Sequence, residues 1–141
     1  MRGKLFFPQM FVCSYNIMKT NKFKETTRLV YKDIGPTKSY STPLFVNMSN
    51  NYVSYINYVD KKDVVLVDGR FRVACAISSY NCLSENGVLL LHDFHRKSYK
   101  DVLEFYYIYK IIESLAVLKP KKYVQYDRLK QFFNKYKFDY S

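Results

Sequence analysis

Tryptophan is absent from this 141-residue chain, and glycine and proline occur only four times each. So few chain punctuators exclude a collagen-like repeat, a flexible linker and a low-complexity protein. Cysteine is limited to Cys13, Cys75 and Cys82, with no C-x-x-C pair and no zinc spacing. That argues against a disulfide scaffold or a zinc module and leaves buried thiols in a reducing compartment as the expectation. Long hydrophobic runs are missing too, since none approaches the roughly 20 residues of a membrane helix. The basic, partly apolar opening MRGKLFFPQMFVCSYN is interrupted by Pro8 and Gln9 and leads to no convincing cleavage site. It reads as an opening strand and not as a signal peptide. A cytoplasmic protein with no membrane attachment is expected.

Acidic residues are also few, 12 against 23 Lys and Arg, which leaves a net charge of +11. Such a balance points to an anionic partner such as nucleic acid, nucleotide or acidic lipid. The competing explanation is compositional: the abundance of Lys, Tyr, Phe and Asn is what an AT-rich genome produces with no functional cause. The basic residues are scattered and densest toward the C-terminus, at Lys119, Lys121, Lys122, Lys130, Lys135 and Lys137, with no uninterrupted run. Fifteen tyrosines and eleven phenylalanines could supply base-stacking platforms, although core and edge packing is the plainer expectation. At 48% hydrophobic residues, the chain can build one core and one domain over 1–141.

Local patterns divide the chain unevenly. Met10 to Tyr15 and Arg28 to Tyr31 read as short strands, with a polar, Lys-rich surface helix between them over Asn16 to Thr27. Ile34-Gly35-Pro36-Thr37 is a turn by composition, Lys38 to Asn51 a loop, and Tyr52 to Val59 a helical stretch. From residue 63 the pattern sharpens. Val64-Val65-Leu66-Val67 is a continuous apolar run, as in a strand buried on both faces of a parallel sheet. Phe71 to Leu83 has helical spacing, with Cys75 and Cys82 seven apart on one face, and Glu85-Asn86-Gly87 reads as its terminator. Val88-Leu89-Leu90-Leu91 is a second buried run. Lys97 to Phe105 reads as helical, Ile108 to Ile112 and Leu115 to Leu118 as paired strands, with Pro120 ending the second, and Tyr123 to Tyr136 as a final helix. This is a right-handed βαβ unit leading into a hairpin.

In open parallel sheets ligands bind beyond the carboxyl ends of the strands. The residues there are Asp33, Asp68-Gly69-Arg70 and His92-Asp93. A carboxylate at such a tip can hold a ribose hydroxyl, a metal ion or an ammonium group, and Arg70 or Arg72 can clamp an anion bidentately. Each has a plainer alternative. Asp68 can be only a helix N-cap, Arg70 and Arg72 can simply pair with Asp68 or Asp93, and His92 can be a structural histidine in place of a general base. His92, Asp93 and His95 imitate a metal site, but no further ligand spacing supports one and no metal is expected.

The stretch Asp63-Val64-Val65-Leu66-Val67-Asp68-Gly69-Arg70-Phe71-Arg72-Val73-Ala74-Cys75-Ala76 resembles a largely uncharacterised group of class I S-adenosylmethionine-dependent methyltransferase-like proteins. So do Leu89-Leu90-Leu91-His92-Asp93, Arg96, Tyr99 and Leu115-Ala116-Val117-Leu118-Lys119-Pro120. Asp33-Ile34-Gly35-Pro36-Thr37 is similar to the signature after that group's third strand. The resemblance spans roughly residues 28–120. It implies an α/β, Rossmann-like, mostly parallel sheet flanked by helices with a C-terminal antiparallel hairpin. By the same mapping, residues 10–15, 28–31, 64–67 and 88–91 resemble the second to fifth strands and 107–118 the hairpin. It also implies S-adenosylmethionine as cofactor, with Asp33 and Ile34 near the adenine and Asp68 and Gly69 at the methionine end. Asp68, His92, Asp93 and Arg70 would then serve catalysis, and Arg72, Arg96 and Tyr99 would hold the substrate.

The chain departs from that pattern at its N-terminal side. No counterpart of the family's first strand and glycine-rich turn is readable, and there is no G-x-G anywhere. The acidic residue expected after the second strand is replaced near Tyr15-Asn16. Without a first strand the edge of the fourth would be left unpaired in the middle of the sheet. Leu5 to Phe7 could substitute for it, strands three and four could pair instead, or the domain could be truncated at the N-terminus. The reading is a methyltransferase-like domain, incomplete on its cofactor side and impaired in methyl transfer to an acceptor that the sequence does not name. The alternative is a non-catalytic basic module that binds nucleic acid or a protein partner.

Overall fold

The computed structural model describes residues 5–6, 37–38, 42–43 and 61–140. The strands expected at 10–15 and 28–31 and the helices expected at 16–27 and 52–59 lie outside these residues. Seven strands are present among the described residues: β1 (Leu5–Phe6), β2 (Thr37–Lys38), β3 (Thr42–Pro43), β4 (Lys62–Val67), β5 (Leu83–Leu91), β6 (Tyr106–Ile112) and β7 (Leu115–Pro120). Helix α1 (Arg72–Ser79) follows β4, a 3₁₀ helix (Lys97–Glu104) follows β5, and α2 (Tyr126–Tyr136) follows β7.

The main sheet has the order β1-β4-β5-β7-β6. β4 and β5 are parallel, with Val64 beside Val88 and Val67 beside Leu91. β7 runs antiparallel to β5, and β6 antiparallel to β7 at the edge. On the other side of β4, Leu5 and Phe6 pair in parallel with Val64 and Val65. That is where a substitute first strand was expected. Thr37–Lys38 and Thr42–Pro43 form a separate antiparallel pair inside the stretch expected to be turn and loop.

The core lies between the sheet and its helices. Val65, Val67, Leu89, Leu91, Ala116 and Leu118 are fully buried in one cluster with Val73, Ala76 and Ile77 of α1. The intervening residues Val64, Leu66, Val88, Leu90 and Val117 are only partly buried. The apolar runs were expected to be buried equally on both sides. Instead they alternate, because α1, the 3₁₀ helix and α2 share a single core cluster with one set of strand residues. Burying a Leu or Val side chain of this kind stabilises by about 1.5–3 kcal/mol each. Tyr106 adds an internal tether, its hydroxyl donating to the Ala76 carbonyl at 2.8 Å.

Several boundaries differ from the sequence reading, and three of the differences have a local reason. α1 stops at Ser79, and Tyr80, Asn81 and Cys82 wind off it by donating to the carbonyls of Ile77, Ser78 and Ser79. Leu83 therefore opens β5, and Cys82, although buried like Cys75, lies past the helix. Glu85-Asn86-Gly87 lies within β5, at an irregularity in its pairing with β4, and does not end α1. A Cβ on Gly87 would lie 3.0 Å from Lys62 O and from Ser84 N and O, so only glycine fits that kink. Lys97–Glu104 winds as a 3₁₀ helix because its buried residues Tyr99 and Val102, continued by Phe105, recur every third position. That spacing matches three residues per turn and stacks all of them on one face. No helix of the described residues is long and apolar enough to cross a membrane.

Candidate active site at the strand tips

The carboxyl ends of β4 and β5 carry Asp68 and His92-Asp93 side by side. The ladder continues past the strands, since His92 N–H donates to Val67 O at 3.1 Å. Three unusual backbone residues shape the rim. Gly69 has φ 151°, Phe71 has φ 57° and Asp93 has φ 55°. An aspartate tolerates the left-handed region, whereas a bulky phenylalanine there costs about 1–2 kcal/mol. Complete burial of the Phe71 ring offsets that cost. Phe71 occupies the N-cap position of α1 without a side-chain cap, so the N-cap alternative for Asp68 does not hold.

Arg72, the first residue of α1, is the hub. Its guanidinium donates to Asp93 Oδ2 at 2.6 Å, to Asp68 Oδ1 at 3.1 Å and to the Tyr99 hydroxyl at 3.2 Å. Arg96 adds a second cation, 3.2 Å from Asp93 Oδ2 and 3.4 Å from the Tyr99 hydroxyl. Both guanidinium carbons lie 5.6 Å from the centre of the Tyr99 ring. Two carboxylates face two guanidinium groups, so the cluster is charge-balanced. Burial opposes the charge on Arg72, but the Asp93 hydrogen bond and the fields of Tyr99, Asp93 and Asp68 raise its pKa overall. The Arg72 hydrogen bond holds the Asp93 carboxyl below its ordinary value, and the charges of Arg72, His92 and Arg96 reinforce it.

His92 closes the solvent side. Its Nδ1 lies 3.4 Å from Asp68 Oδ1 and 3.3 Å from Asp93 Oδ1. Its Nε2 lies 3.3 Å from the Ser114 hydroxyl on the β6–β7 turn. That turn is tied to the β5 tip by Phe94 N–H donating to Ser114 O at 2.9 Å. The Nδ1 atom and Arg72 Nε are buried and have no hydrogen-bond partner among the described residues. A ring flanked by two carboxylates at one nitrogen and a hydroxyl at the other is placed to exchange a proton with a group bound beside it.

The structure thus brings Asp68, Arg72, His92, Asp93, Arg96 and Tyr99 together. Asp33 and Ile34 lie outside the described residues. Arg70 is partly buried next to Gly69, and Arg72 pairs with both Asp68 and Asp93. His95 points to solvent, and no group of three metal-ligating side chains occurs among the described residues. Ser114 was not expected, because a lone serine in a two-residue turn carries no signal in sequence.

No protein-family model and no curated protein matches the chain in sequence. In three dimensions it is similar to the crystal structure of a methyltransferase-like protein from Silicibacter pomeroyi DSS-3. The TM-score is 0.70 at 23% identity, covering 97% of this chain and 76% of that one. The likeness shows that this chain has a methyltransferase-like α/β fold.

Proposed function

We propose that the strand-tip cluster is the acceptor side of an S-adenosylmethionine-dependent methyl-transfer site, and that cofactor binding is impaired by the missing glycine-rich turn. The observation that carries this reading is the convergence of Asp68, His92 and Asp93 beyond two adjacent parallel strands, where open α/β sheets bind ligands. Among the described residues the fit to the cofactor is confined to its methionine end. Asp68 offers a half-exposed carboxylate to an ammonium group, and Gly69 allows close approach of the backbone. When bound, S-adenosylmethionine supplies an electrophilic methyl group.

The chain's own residues handle the proton and the orientation. His92 Nε2 accepts a proton from the acceptor, and Asp68 and Asp93 stabilise the imidazolium from the other side. Arg96, half-exposed over Tyr99, orients an anionic acceptor, while Arg72 holds both carboxylates in place. Titration calorimetry with S-adenosylmethionine and S-adenosylhomocysteine tests the reading. Weak binding that is lost in Asp68→Ala is expected, and no heat at millimolar ligand removes the enzyme reading.

A second reading, a basic module for nucleic acid or a protein partner, has one observation in its favour. Lys121, Lys122, Arg128, Lys130 and Lys135 are all exposed on or just before α2. RNA or DNA binding that falls steeply with salt, and that is lost on neutralising those lysines but not in Asp68→Ala, selects it.

A further inference from the structure

Among the described residues β6 is the outermost strand of the sheet and pairs on one side only, with β7. Its sequence is Tyr-Tyr-Ile-Tyr-Lys-Ile-Ile, and every residue after Tyr106 is exposed. Of the nine large hydrophobic residues exposed among the described residues, five lie on this strand: Tyr107, Ile108, Tyr109, Ile111 and Ile112, at 42% to 64% exposure. An edge strand offers a row of outward N–H and C=O groups, and proteins guard such edges with prolines, charges or bulges. Here there is no proline and a single charge, Lys110. The only other guard is an irregularity between Ile108 and Lys110.

We propose that this edge is a self-association surface, on which β6 of a second copy pairs antiparallel to form a two-fold dimer with a continuous sheet. Three features select a second copy as the occupant. An antiparallel pairing of β6 with itself is isologous, so each contact occurs twice, and the strand is already extended and ordered in each copy. The area is also adequate. About half of each of five large side chains amounts to roughly 500 Å² per copy, and the main-chain edge with the Lys110 and Lys119 stems brings it toward the roughly 800 Å² per partner of a specific interface. Charge fixes the alignment. Lys110 opposite its own copy is unfavourable, whereas a two-fold register centred on Tyr109 or Ile111 sets it opposite Ile108 or Ile112 of the second copy.

The charge also gives the association a diagnostic sign. Two copies of +11 repel, so salt screening tightens a dimer held by apolar side chains and main-chain hydrogen bonds. A polyanion bound to the same edge would be released by salt. Sedimentation velocity of the full chain over a concentration series, at low and high salt, decides the matter. The expected result is a monomer–dimer equilibrium that shifts toward dimer with salt. Ile111→Lys should weaken it by about tenfold or more, and Lys110→Ile should tighten it, with both variants keeping the parent's melting curve. Opposite shifts in the two variants cannot both come from misfolding. A chain that stays monomeric throughout, or a dimer that neither substitution moves, overturns the proposal.

Discussion

Two clusters in this protein combine a carboxylate, a cation and a tyrosine, and they do so in different surroundings. At the strand tips these are Asp93, Arg72 and Tyr99. Between the 3₁₀ helix and α2 they are Asp101, Lys135 and Tyr136. In the first, the Arg72 side chain is 11% exposed and reaches three acceptors. In the second, the Lys135 side chain is 60% exposed and 3.2 Å from Asp101, and it is the Tyr136 hydroxyl that donates the close hydrogen bond to that carboxylate. The planar five-donor guanidinium can satisfy two carboxylates and a hydroxyl at a fixed site, which an ammonium on a flexible stem cannot do. The buried cluster therefore organises the rim of the candidate site, while the exposed one only fastens α2 to its neighbour.

The two clusters should differ most when the hub is removed. Arg72→Met keeps much of the side-chain volume but takes the guanidinium from Asp68 and leaves Asp93 and the Tyr99 hydroxyl with the half-exposed Arg96 alone. A loss of about 3 kcal/mol is expected, the low end for a broken buried pair because Arg96 remains, measured by urea denaturation. Arg72→Lys restores the charge but not the fork, and should recover only part of that loss. Full recovery by lysine would mean that charge alone matters and that the two clusters are the same device.

Acid sharpens the contrast next. Arg72 holds Asp93 below the ordinary carboxyl value of 3.8, and Asp101 is held below it chiefly by Tyr136 and then by Lys135. A depressed folded pKa gives stability that is present above the unfolded value and lost as pH falls through the folded one. The urea midpoint should therefore hold above about pH 5 and fall below about pH 4. Asp93→Asn should flatten that fall more than Asp101→Asn does, because the Asp93 partner is buried. Equal flattening would remove the distinction between the clusters.

What could be read in sequence follows the same division between local and distant causes. β4, the start of α1, the last residues of β5, the hairpin and α2 were legible because apolar spacing and turn residues act over a few positions. The tips were legible as well, since adjacent parallel strands must bring Asp68 and His92-Asp93 to one edge. The hub was not. Arg72 meets Asp93 across 21 residues and Tyr99 across 27, and such contacts exist only after the sheet has formed. The left-handed backbone of Phe71 is likewise set by the pocket that buries its ring. At β6 the strand itself was plain, but its exposed apolar edge depends on its place in the strand order, which a short apolar run does not reveal.

The smallest effects belong to the exposed cluster. Tyr136→Phe deletes the close donor to Asp101 while leaving the ring packed beside Phe132, 6.4 Å away. A loss of about 1 kcal/mol is expected. Lys135→Ala should leave the urea midpoint unchanged within error, at low salt and at high salt alike. Its ammonium lies 5.6 Å from the Phe132 ring and 4.7 Å from the Tyr136 ring, but solvent screens both contacts and the ion pair to Asp101. Once the lysine is gone, Asp101 still has the Tyr136 hydroxyl and free access to water, so no buried charge is stranded. If Lys135→Ala cost as much as Tyr136→Phe, an exposed ammonium would be carrying weight here assigned to burial, and the contrast with Arg72 would have to rest on geometry alone.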